Sequence, residues 1–449
     1  MIYLLLRKII TLALFFFFKK IVVSGKENRL HEGPLIIVAN HPNTLMDPLI
    51  VASLMKQQIG FLANAGIFAN ALLASVLRYF QVIPVFRKKD IAPGDKPDNK
   101  YSFLKCHEYL DKKGTILIFP EGESYYELKL REIKTGTARI ALSYESLKGL
   151  DDRLKILPIA LDYSDSIQFR SMVSVSIGEP ISLQSYKESF LENEINGFSQ
   201  LTEKIRQELE RHIPLTTSKE QEQFLLKTHK FYTTFNDPKG DLHLNPKHSL
   251  ASRAQISKAM NTLGESDTKL YVDTEIKVHL FFDQLNNEGL SPGFFTNNFF
   301  NKSRALVLMG YFLEFLLLAP FYLFGLLTNY VPYILPGLVF KVLKLDIEYK
   351  TAVLMIVGLF TFPLCYWLEI RFIGNYVSID FWLSCLLIFS FVISAYIAMF
   401  YWTEVKRFRR VLHFYFFMKP EKKVSIINLR DEILSNIEIA TSKNIDIQV

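Results

Sequence analysis

Short apolar runs that end in polar or turn-forming residues recur along the first part of the chain. Runs of this kind, rich in β-branched residues, are typical of buried strands, and we predict strands over residues 35–39, 82–87, 115–119, 156–161 and 172–177. Between them, apolar positions recur at helical spacing over residues 47–56, 64–80, 101–113 and 135–147. Strands that alternate with helices predict an α/β fold.

The first of these strands ends in a polar turn, Asn40-His41-Pro42-Asn43. Strand interiors avoid such residues, so His41 is predicted at the carboxyl end of the strand, where ligands bind in open α/β sheets. An imidazole suits proton transfer near neutral pH, and Asp47 follows at the start of a predicted helix, where its carboxylate can turn back to the ring. The pattern predicts a general base with an orienting acid. The plainer alternative is that His41 ends a strand and Asp47 caps a helix.

The strand over residues 115–119 ends in the same way, in the run Pro120-Glu121-Gly122-Glu123-Ser124. Two strand ends of one kind favour the functional interpretation of His41 over the structural one.

The chain becomes strongly apolar beyond residue 302, with runs at about 305–340, 351–370 and 381–402. The last two are each near the roughly twenty residues that span a bilayer. The first is too long for one crossing and carries several Pro and Gly residues. Basic clusters flank it and follow the final run, and an even number of crossings would keep them all cytoplasmic. We therefore expect a broken hairpin followed by two spans.

The segment 1–20 is apolar except for Arg7, Lys8, Thr11 and the terminal pair Lys19-Lys20. It lacks the charge order and cleavage site of a signal peptide. We predict a retained helix that anchors the chain at the membrane surface, with Arg7 and Lys8 extending toward lipid headgroups.

Composition supports a membrane protein. The chain of 449 residues has a net charge of +7, 14% aromatic residues and 38 Phe, and its mean hydropathy is +0.16. This combination is unlike a nucleic-acid binder, and anionic lipid is the expected neighbour. The three cysteines show neither a disulfide framework nor zinc spacing, and we expect no metal and no nucleic-acid partner.

The two strand ends resemble the glycerolipid acyltransferase family, which includes glycerol-3-phosphate and lysophosphatidate acyltransferases. The resemblance covers roughly residues 20–215 and implies a mixed sheet flanked by helices, with His41 and Asp47 as catalytic residues. It implies substrate-binding roles for four further positions, Arg87, Glu121, Gly122 and Lys134. The sequence departs from the family in Glu123 and Ser124, which replace a Thr-Arg pair, and in five residues rather than four between His41 and Asp47.

The resemblance implies transfer of a fatty acyl group from acyl-CoA or acyl carrier protein to glycerol 3-phosphate or 1-acylglycerol 3-phosphate, with no other cofactor. Membrane lipids are the expected partners, and a bacterial inner membrane with a cytoplasmic acyltransferase domain is the expected location. The predicted organisation has five parts: an anchor over 1–20, the acyltransferase domain over 21–215, a helical linker over 216–300, a transmembrane region over 301–410 and a cytoplasmic tail over 411–449.

Two other classes stay open at this point. One is a membrane transporter or lipid-handling protein with a regulatory acyltransferase-like domain, although the tail shows few intramembrane polar groups and no clear inverted repeat. The other is a metal hydrolase that uses His41, Asp47 and Glu121, although a second ligand histidine at helical spacing is lacking.

Overall fold

The computed structural model describes residues 2–30, 32–86, 99–125, 128–214, 216–235, 251–296 and 303–442. The chain divides into two compact units. The first contains Met1–Thr217 together with the short segment Asp346–Ala352, and the second contains Ser218–Leu345 together with Val353–Val449. The domain bounds expected from the sequence stay predictions.

The first unit is built on a mixed sheet of eight strands, which confirms the predicted α/β class. Its strands are β1 (Lys20–Ser24), β2 (Leu35–Ala39), β3 (Ile59–Asn64), β4 (Val82–Val85), β5 (Thr115–Ile118), β6 (Lys155–Tyr163), β7 (Met172–Ile177) and β8 (Ile181–Ser182). The order along the sheet is β1-β7-β6-β2-β5-β3-β4, with β8 also paired to β6. Pairing is parallel except where β6 meets β7 and β8.

Strand β2 lies near the middle of the sheet and is buried on both faces. All five of its residues are buried. Ile36 and Val38 point into a core shared with Leu110, Ile140 and Ile205 on three flanking helices. Near-continuous apolar sequence is what a parallel strand covered on both sides requires, and this explains why β2 is readable from its sequence.

In the described part of the first unit, seven α-helices accompany the sheet. They are α1 (Ile2–Phe17), α2 (Met46–Leu54), α3 (Ala71–Tyr79), α4 (Lys100–Asp111), α5 (Gly136–Leu147), α6 (Lys187–Glu192) and α7 (Glu194–Glu210). Strands β1, β3 and β8 are additions to the predicted set. Strand β3 contains Gly60 and Ala63, which weaken the strand signal in its sequence.

Helix α1 contacts the end of α2 through Arg7, and the expected anchoring role of this helix stays a prediction. The guanidinium of Arg7 is engaged within the protein. It donates from Nη1 to the carbonyl oxygens of Met55 and Lys56, both at 2.7 Å. These carbonyls follow the end of α2, where helix geometry leaves acceptors without intrahelical partners and favours a cation.

The second unit is helical. Its described helices are α8 (Lys219–Phe235), α9 (Ala251–Ser266), α10 (Thr268–Asn287), α11 (Arg304–Leu343), α12 (Lys350–Ile373), α13 (Phe381–Leu412) and α14 (Pro420–Ser442). Helix α12 begins within the segment assigned to the first unit. The region expected to be a linker has a packed interior, because Phe224, Phe231 and Phe281 share one core with Ile426 and Ile433 of α14.

Among the residues that the structure describes, three helices are long and apolar enough to cross a membrane, and they begin at Arg304, Ile347 and Phe381. The stretch expected to form a broken hairpin is instead one helix of 40 residues that contains Pro320, Pro332 and Pro336. Proline removes single backbone hydrogen bonds, which apolar helices tolerate when neighbouring groups compensate. The number of crossings stays a prediction.

The side chain of Asn40 extends the sheet beyond the end of β2. Its Nδ2 donates to the carbonyl oxygen of Leu161 at 2.9 Å, and its Oδ1 accepts from the Leu161 N–H at 2.7 Å. The amide thus replaces one peptide unit in the ladder with β6, and it fixes the point at which the chain leaves the sheet toward His41.

Replacing Asn40 with Ala should destabilise the first unit by about 1–3 kcal/mol, because two buried backbone groups of Leu161 lose their partners. Thermal unfolding of the purified protein in detergent measures the change. Asn196→Ala, at an exposed helical position, is the control and should leave the midpoint nearly unchanged. Equal midpoints for the two variants would contradict this role of Asn40.

Candidate functional site

The polar turns that follow β2 and β5 lie side by side. These strands are parallel neighbours in register from Leu35 with Thr115 to Val38 with Ile118, so their carboxyl ends reach the same edge of the sheet. The His41 N–H donates to Oε1 of Glu121 at 2.9 Å. The Tyr125 N–H donates to the carbonyl oxygen of His41 at 3.2 Å. The two loops predicted to carry the chemistry therefore form one site.

His41 and Asp47 are in direct contact. Nδ1 of His41 lies 2.8 Å from Oδ2 of Asp47, and the imidazole is 14% exposed while the carboxylate is fully buried. Asp47 stands in the first turn of α2, as the sequence predicts, and the five intervening residues still allow the contact. A carboxylate on Nδ1 assigns the ring proton to that nitrogen and leaves Nε2 as the basic atom.

Asp47 is held by two further donors. The Tyr163 hydroxyl donates to Oδ1 at 2.5 Å, and the Asn43 N–H donates to Oδ2 at 2.7 Å. Burial raises the pKa of Asp47, whereas the hydrogen bonds from His41, Tyr163 and Asn43 oppose that rise. Burial, followed by the charge of Asp47, raises the pKa of Tyr163 well above its ordinary value, so the phenol stays a donor.

The opposite side of the imidazole is open for chemistry. The ring of His41 stacks on Phe119, with centroids 3.8 Å apart and an angle of 11° between the planes. Within the part of the chain that the structure describes, Nε2 has no hydrogen-bond partner, and it is not among the buried unpaired atoms. The geometry presents one basic nitrogen on a ring whose plane is fixed.

Glu121 connects the loop after β2 to the loop after β5 through hydrogen bonds. Its Oε1 accepts from the His41 N–H, and its Oε2 accepts from the Arg131 N–H at 3.0 Å. Burial raises the pKa of Glu121, and the two backbone donors oppose that rise. The predicted role of this carboxylate in substrate binding stays a prediction, and the contacts indicate a positioning role in addition.

Gly122 and Lys134 are adjacent. Gly122 has a φ of 76°, and a Cβ on its backbone would lie 2.7 Å from Nζ of Lys134. Only glycine combines this left-handed conformation with room for the approaching ammonium. Lys134 is exposed, and among the described residues it has no ion-pair partner. The pair therefore offers a cation beside an uncovered stretch of backbone.

Arg87 and Arg131 are two further basic residues of the first unit. Arg87 lies outside the described residues, so its predicted role in binding stays a prediction. The guanidinium of Arg131 lies 4.2 Å from the ring centroid of Tyr125, on the loop that follows Gly122.

Among the described residues, no group of three His, Cys, Asp or Glu side chains is placed to hold a metal ion.

Tyr163, Asn43 and Thr351 also belong to this site, although none of the three was predicted from the sequence. Tyr163 lies at the end of β6, where the apolar pattern carries no sign of its contact. The side-chain amide of Asn43 lies within 2.8 Å of the Thr351 hydroxyl, and the Thr44 hydroxyl donates to the carbonyl oxygen of Glu348 at 2.9 Å. The contacts with Thr351 and Glu348 belong to the short segment Asp346–Ala352 that packs within the first unit.

Residues 20–162 match the protein-family model described as Acyltransferase. This region contains β1 through most of β6 and the His41, Asp47 and Glu121 side chains. The resemblance inferred from the sequence is therefore confirmed at the level of a domain of the acyltransferase family.

The chain is similar to three curated fungal proteins. It is 22% identical over 258 residues to an uncharacterized acyltransferase of Schizosaccharomyces pombe, a match that covers 39% of this chain and 38% of that protein. It is 33% identical over 118 residues to glycerol-3-phosphate O-acyltransferase 2 of Saccharomyces cerevisiae, covering 26% of this chain and 16% of that protein. For glycerol-3-phosphate O-acyltransferase 1 of the same yeast the identity is 34%, covering 20% of this chain and 12% of that protein. These matches span at most 38% of the relatives' own lengths.

Among solved structures, the chain is similar to the 1-acyl-sn-glycerophosphate acyltransferase PlsC from Thermotoga maritima. The TM-score is 0.33 at 19% identity, and the match covers 45% of this chain and 77% of that one.

Replacing Gly122 with Ala should lower stability by about 1–2 kcal/mol from the left-handed backbone alone, and the new methyl group should push Lys134 away from the loop. Gly136→Ala is the matched control, because a Cβ at Gly136 meets nothing within 4 Å and the residue begins α5. Thermal unfolding of both variants measures the difference. A Gly122→Ala protein as stable as Gly136→Ala would contradict the requirement for glycine.

Proposed function

We propose that this protein is a membrane-bound enzyme that transfers a fatty acyl group from a thioester, acyl-CoA or acyl carrier protein, to a hydroxyl of glycerol 3-phosphate or 1-acylglycerol 3-phosphate. The observation that carries the proposal is the contact between His41 and the buried Asp47, at a strand end shared with Glu121. The match of residues 20–162 to the acyltransferase family supports the reaction class, and the names of the yeast relatives support the acceptor class.

His41 acts as the general base. The acceptor hydroxyl attacks the thioester carbonyl while its proton passes to Nε2, and a tetrahedral intermediate forms. The C–S bond then breaks, and the proton on Nε2 passes to the departing thiolate, which leaves as a thiol. The products are an ester and free coenzyme A or carrier protein, and no acyl-enzyme is required.

Asp47 makes this base directional. Its carboxylate holds the proton on Nδ1, so the lone pair of Nε2 faces the substrate, and its negative charge stabilises the imidazolium that forms. Because Asp47 is itself bound by Tyr163 and by the Asn43 N–H, it reaches this geometry before substrate arrives. Preorganisation of this kind avoids a reorganisation cost during the reaction.

Lys134 is the cation in the described site best placed for the acceptor phosphate. It lies against Gly122, within the loop that begins at Glu121. Arg87 is proposed as a second phosphate contact on the strength of the family resemblance. These two cations offset the loss of the basic residue that Ser124 replaces in the family pattern.

The three apolar helices support association with a membrane. We place the acyltransferase domain on the cytoplasmic side of a bacterial inner membrane, where basic residues flank the apolar segments as the distribution of positive charge favours. No cofactor is proposed beyond the thioester donor, because a base, an acceptor site and an activated acyl group suffice for this reaction.

Membranes that contain the wild-type protein should esterify labelled acyl-CoA or acyl carrier protein to one of the two acceptors, and His41→Ala should reduce the rate about 10²- to 10⁴-fold. Asp47→Asn should lose about 10²-fold or more, because the amide no longer fixes the proton on Nδ1. Product formation is followed by thin-layer chromatography with each donor and acceptor pair.

The control is His107→Ala, which removes a half-buried imidazole that contacts the carbonyl oxygen of Ile140 at 3.1 Å, away from the site. This variant should keep its acyltransferase activity. Activity retained by His41→Ala would exclude the proposed base. Transport of lipid without ester formation would favour the transporter class, and hydrolysis abolished by a chelator would favour the metal hydrolase.

A further inference from the structure

A cationic cavity in the second unit takes no part in the proposed reaction. It has a volume of about 400 Å³ and lies where α13 ends. Its lining combines basic side chains with one acidic residue and one glycine: Glu288, Gly289, Lys406, Arg409, Arg410 and His413. The four basic residues recur at intervals of three and four positions, which places them on one side of the helix.

The side chains that line this cavity carry more positive charge than negative charge. The carboxylate of Glu288 is already engaged, because it accepts from Nε2 of His413 at 2.9 Å and pairs with Lys422. These partners, Lys422 first, hold the pKa of Glu288 below its usual range. Across the described ranges, none of the side chains Lys406, Arg409 and Arg410 has a carboxylate partner.

Lys230 on α8 is a further cation near this cavity. Its side chain is exposed, and its pKa is lowered first by partial loss of solvent and then by the charge of Arg410. Lys230 therefore adds a cation within electrostatic reach of Arg410.

The cavity lies at the depth of lipid headgroups if α13 crosses a bilayer. Trp382 and Trp402 stand near the two ends of the apolar part of α13, and their separation corresponds to about 30 Å of helix, the thickness of the hydrocarbon core. Tryptophan is enriched at both interfaces of a membrane. Lys406 follows Trp402 by one turn and lies 5.6 Å from its ring centroid, so the cations begin where the hydrocarbon ends.

We propose that this cavity binds the phosphate group of an anionic phospholipid headgroup. Two guanidinium groups and an ammonium supply the donors that phosphate oxygens accept, and arginine can engage two oxygens at once. A volume of this size is ordinary for a small-molecule site. A lipid rather than a soluble phosphate fits the position of the cations directly beyond an apolar span.

The test uses the full-length protein in an uncharged detergent and measures binding by titration calorimetry. The probes are dioctanoyl phosphatidylglycerol, dioctanoyl phosphatidylcholine and inorganic phosphate. Phosphatidylglycerol is chosen because it is neither substrate nor product of the proposed reaction. We expect it to bind, and the double variant Arg409→Gln/Arg410→Gln should weaken binding at least about ten-fold, since each cation near a headgroup contributes substantially to the attraction.

The matched control is Arg407→Gln. Arg407 lies on the same turn of α13 but does not line the cavity, and its Nη1 lies 3.7 Å from Oε2 of Glu404. This variant should bind phosphatidylglycerol as the wild type does. Inorganic phosphate that binds as tightly, with the same dependence on Arg409 and Arg410, would support phosphate recognition but assign it to a soluble ligand and overturn the lipid. Equal affinity of the double variant and the wild type, or equal binding of phosphatidylcholine, would overturn the site.

A second inference comes from a separate observation and rests on the proposed function. The amide of Asn43 and the hydroxyl of Thr351 are both about 1% exposed. Oγ1 of Thr351 lies 2.8 Å from Nδ2 of Asn43 and 3.1 Å from its Oδ1. Nδ2 of Asn43 also donates to the carbonyl oxygen of Ser166 at 2.5 Å. The side chain of Asn43 is thus fixed from two sides.

The backbone of the same residue supports the base. The Asn43 N–H is the donor that Oδ2 of Asp47 accepts, and Oδ2 is also the oxygen in contact with Nδ1 of His41. Any rotation of residue 43 therefore changes how Asp47 presents this oxygen. Thr351 stands in the first turn of α12, a helix long and apolar enough to cross a membrane.

We infer that Thr351 is a positioning residue for the catalytic pair and acts through Asn43. The start of a candidate membrane span thereby sets the geometry of the loop that carries His41. The tail would then contribute to catalysis in addition to anchoring the protein.

Thr351→Val removes the hydroxyl at nearly constant volume, and we expect kcat to fall about ten-fold with little change in the KM for the acceptor, because the contact supports the base and not the binding of substrate. Thr351→Ser should restore most of the rate. Thr361→Val, on the same helix, is the control and should behave as the wild type. The hydroxyl of Thr361 donates to the carbonyl oxygen of Pro332 at 3.4 Å.

A second readout does not depend on activity. Hydrogen exchange in peptides that contain residues 41–47 should be faster in Thr351→Val than in the wild type and in Thr361→Val. Faster exchange without measurable acyl transfer in the wild type would support the contact and reject the proposed function. Unchanged exchange, or a rate of Thr351→Val equal to that of the wild type, would overturn the role of Thr351.

Discussion

The first unit depends on a buried carboxylate that is bound from three directions. Asp47 accepts from the imidazole of His41, the hydroxyl of Tyr163 and the N–H of Asn43. An isolated carboxylate in this position would be costly, and full burial is acceptable only because each donor offsets part of the lost hydration. Two of the donors lie in the loop after β2 and the third lies at the end of β6, so the burial of one side chain fixes the relative positions of α2, β6 and that loop.

Glu121 performs a similar task between two loops. Its oxygens accept the N–H groups of His41, in the loop after β2, and of Arg131, in the loop after β5. These two backbone donors hold the carboxylate in one orientation. The loops are therefore fixed on the side where the acceptor is proposed to bind, and the exposed cations, of which Lys134 is the described example, provide the adaptable contacts.

The sequence permits prediction of the parts of this site that depend on local signals. The ends of β2 and β5 are marked by abrupt changes from apolar to turn-forming residues, and parallel pairing then brings His41 beside Glu121 without further information. Tyr163 and Thr351 carry no such mark, because they meet their partners across 116 and 308 positions. Arg7 also carries no sign of its contacts, since a cation in an apolar helix suggests a lipid headgroup and the sequence does not indicate its hydrogen bonds to the carbonyls after α2. The tail shows the same limit, because its prolines suggested a break in a helix that is continuous.

The contact at Thr351 bears on what the apolar region beyond residue 303 contributes to the proposed reaction besides anchoring the chain. An anchor alone needs no buried hydrogen bond to the loop that holds the base, and a lysine or an aromatic residue at the interface would serve. A threonine hydroxyl placed within 2.8 Å of the Asn43 amide is instead specific in distance and direction, and hydrogen bonds of this type weaken steeply when either changes. The inferred positioning role of Thr351 therefore makes the first turn of α12 part of the geometry that holds Asn43 and, through its N–H, Asp47.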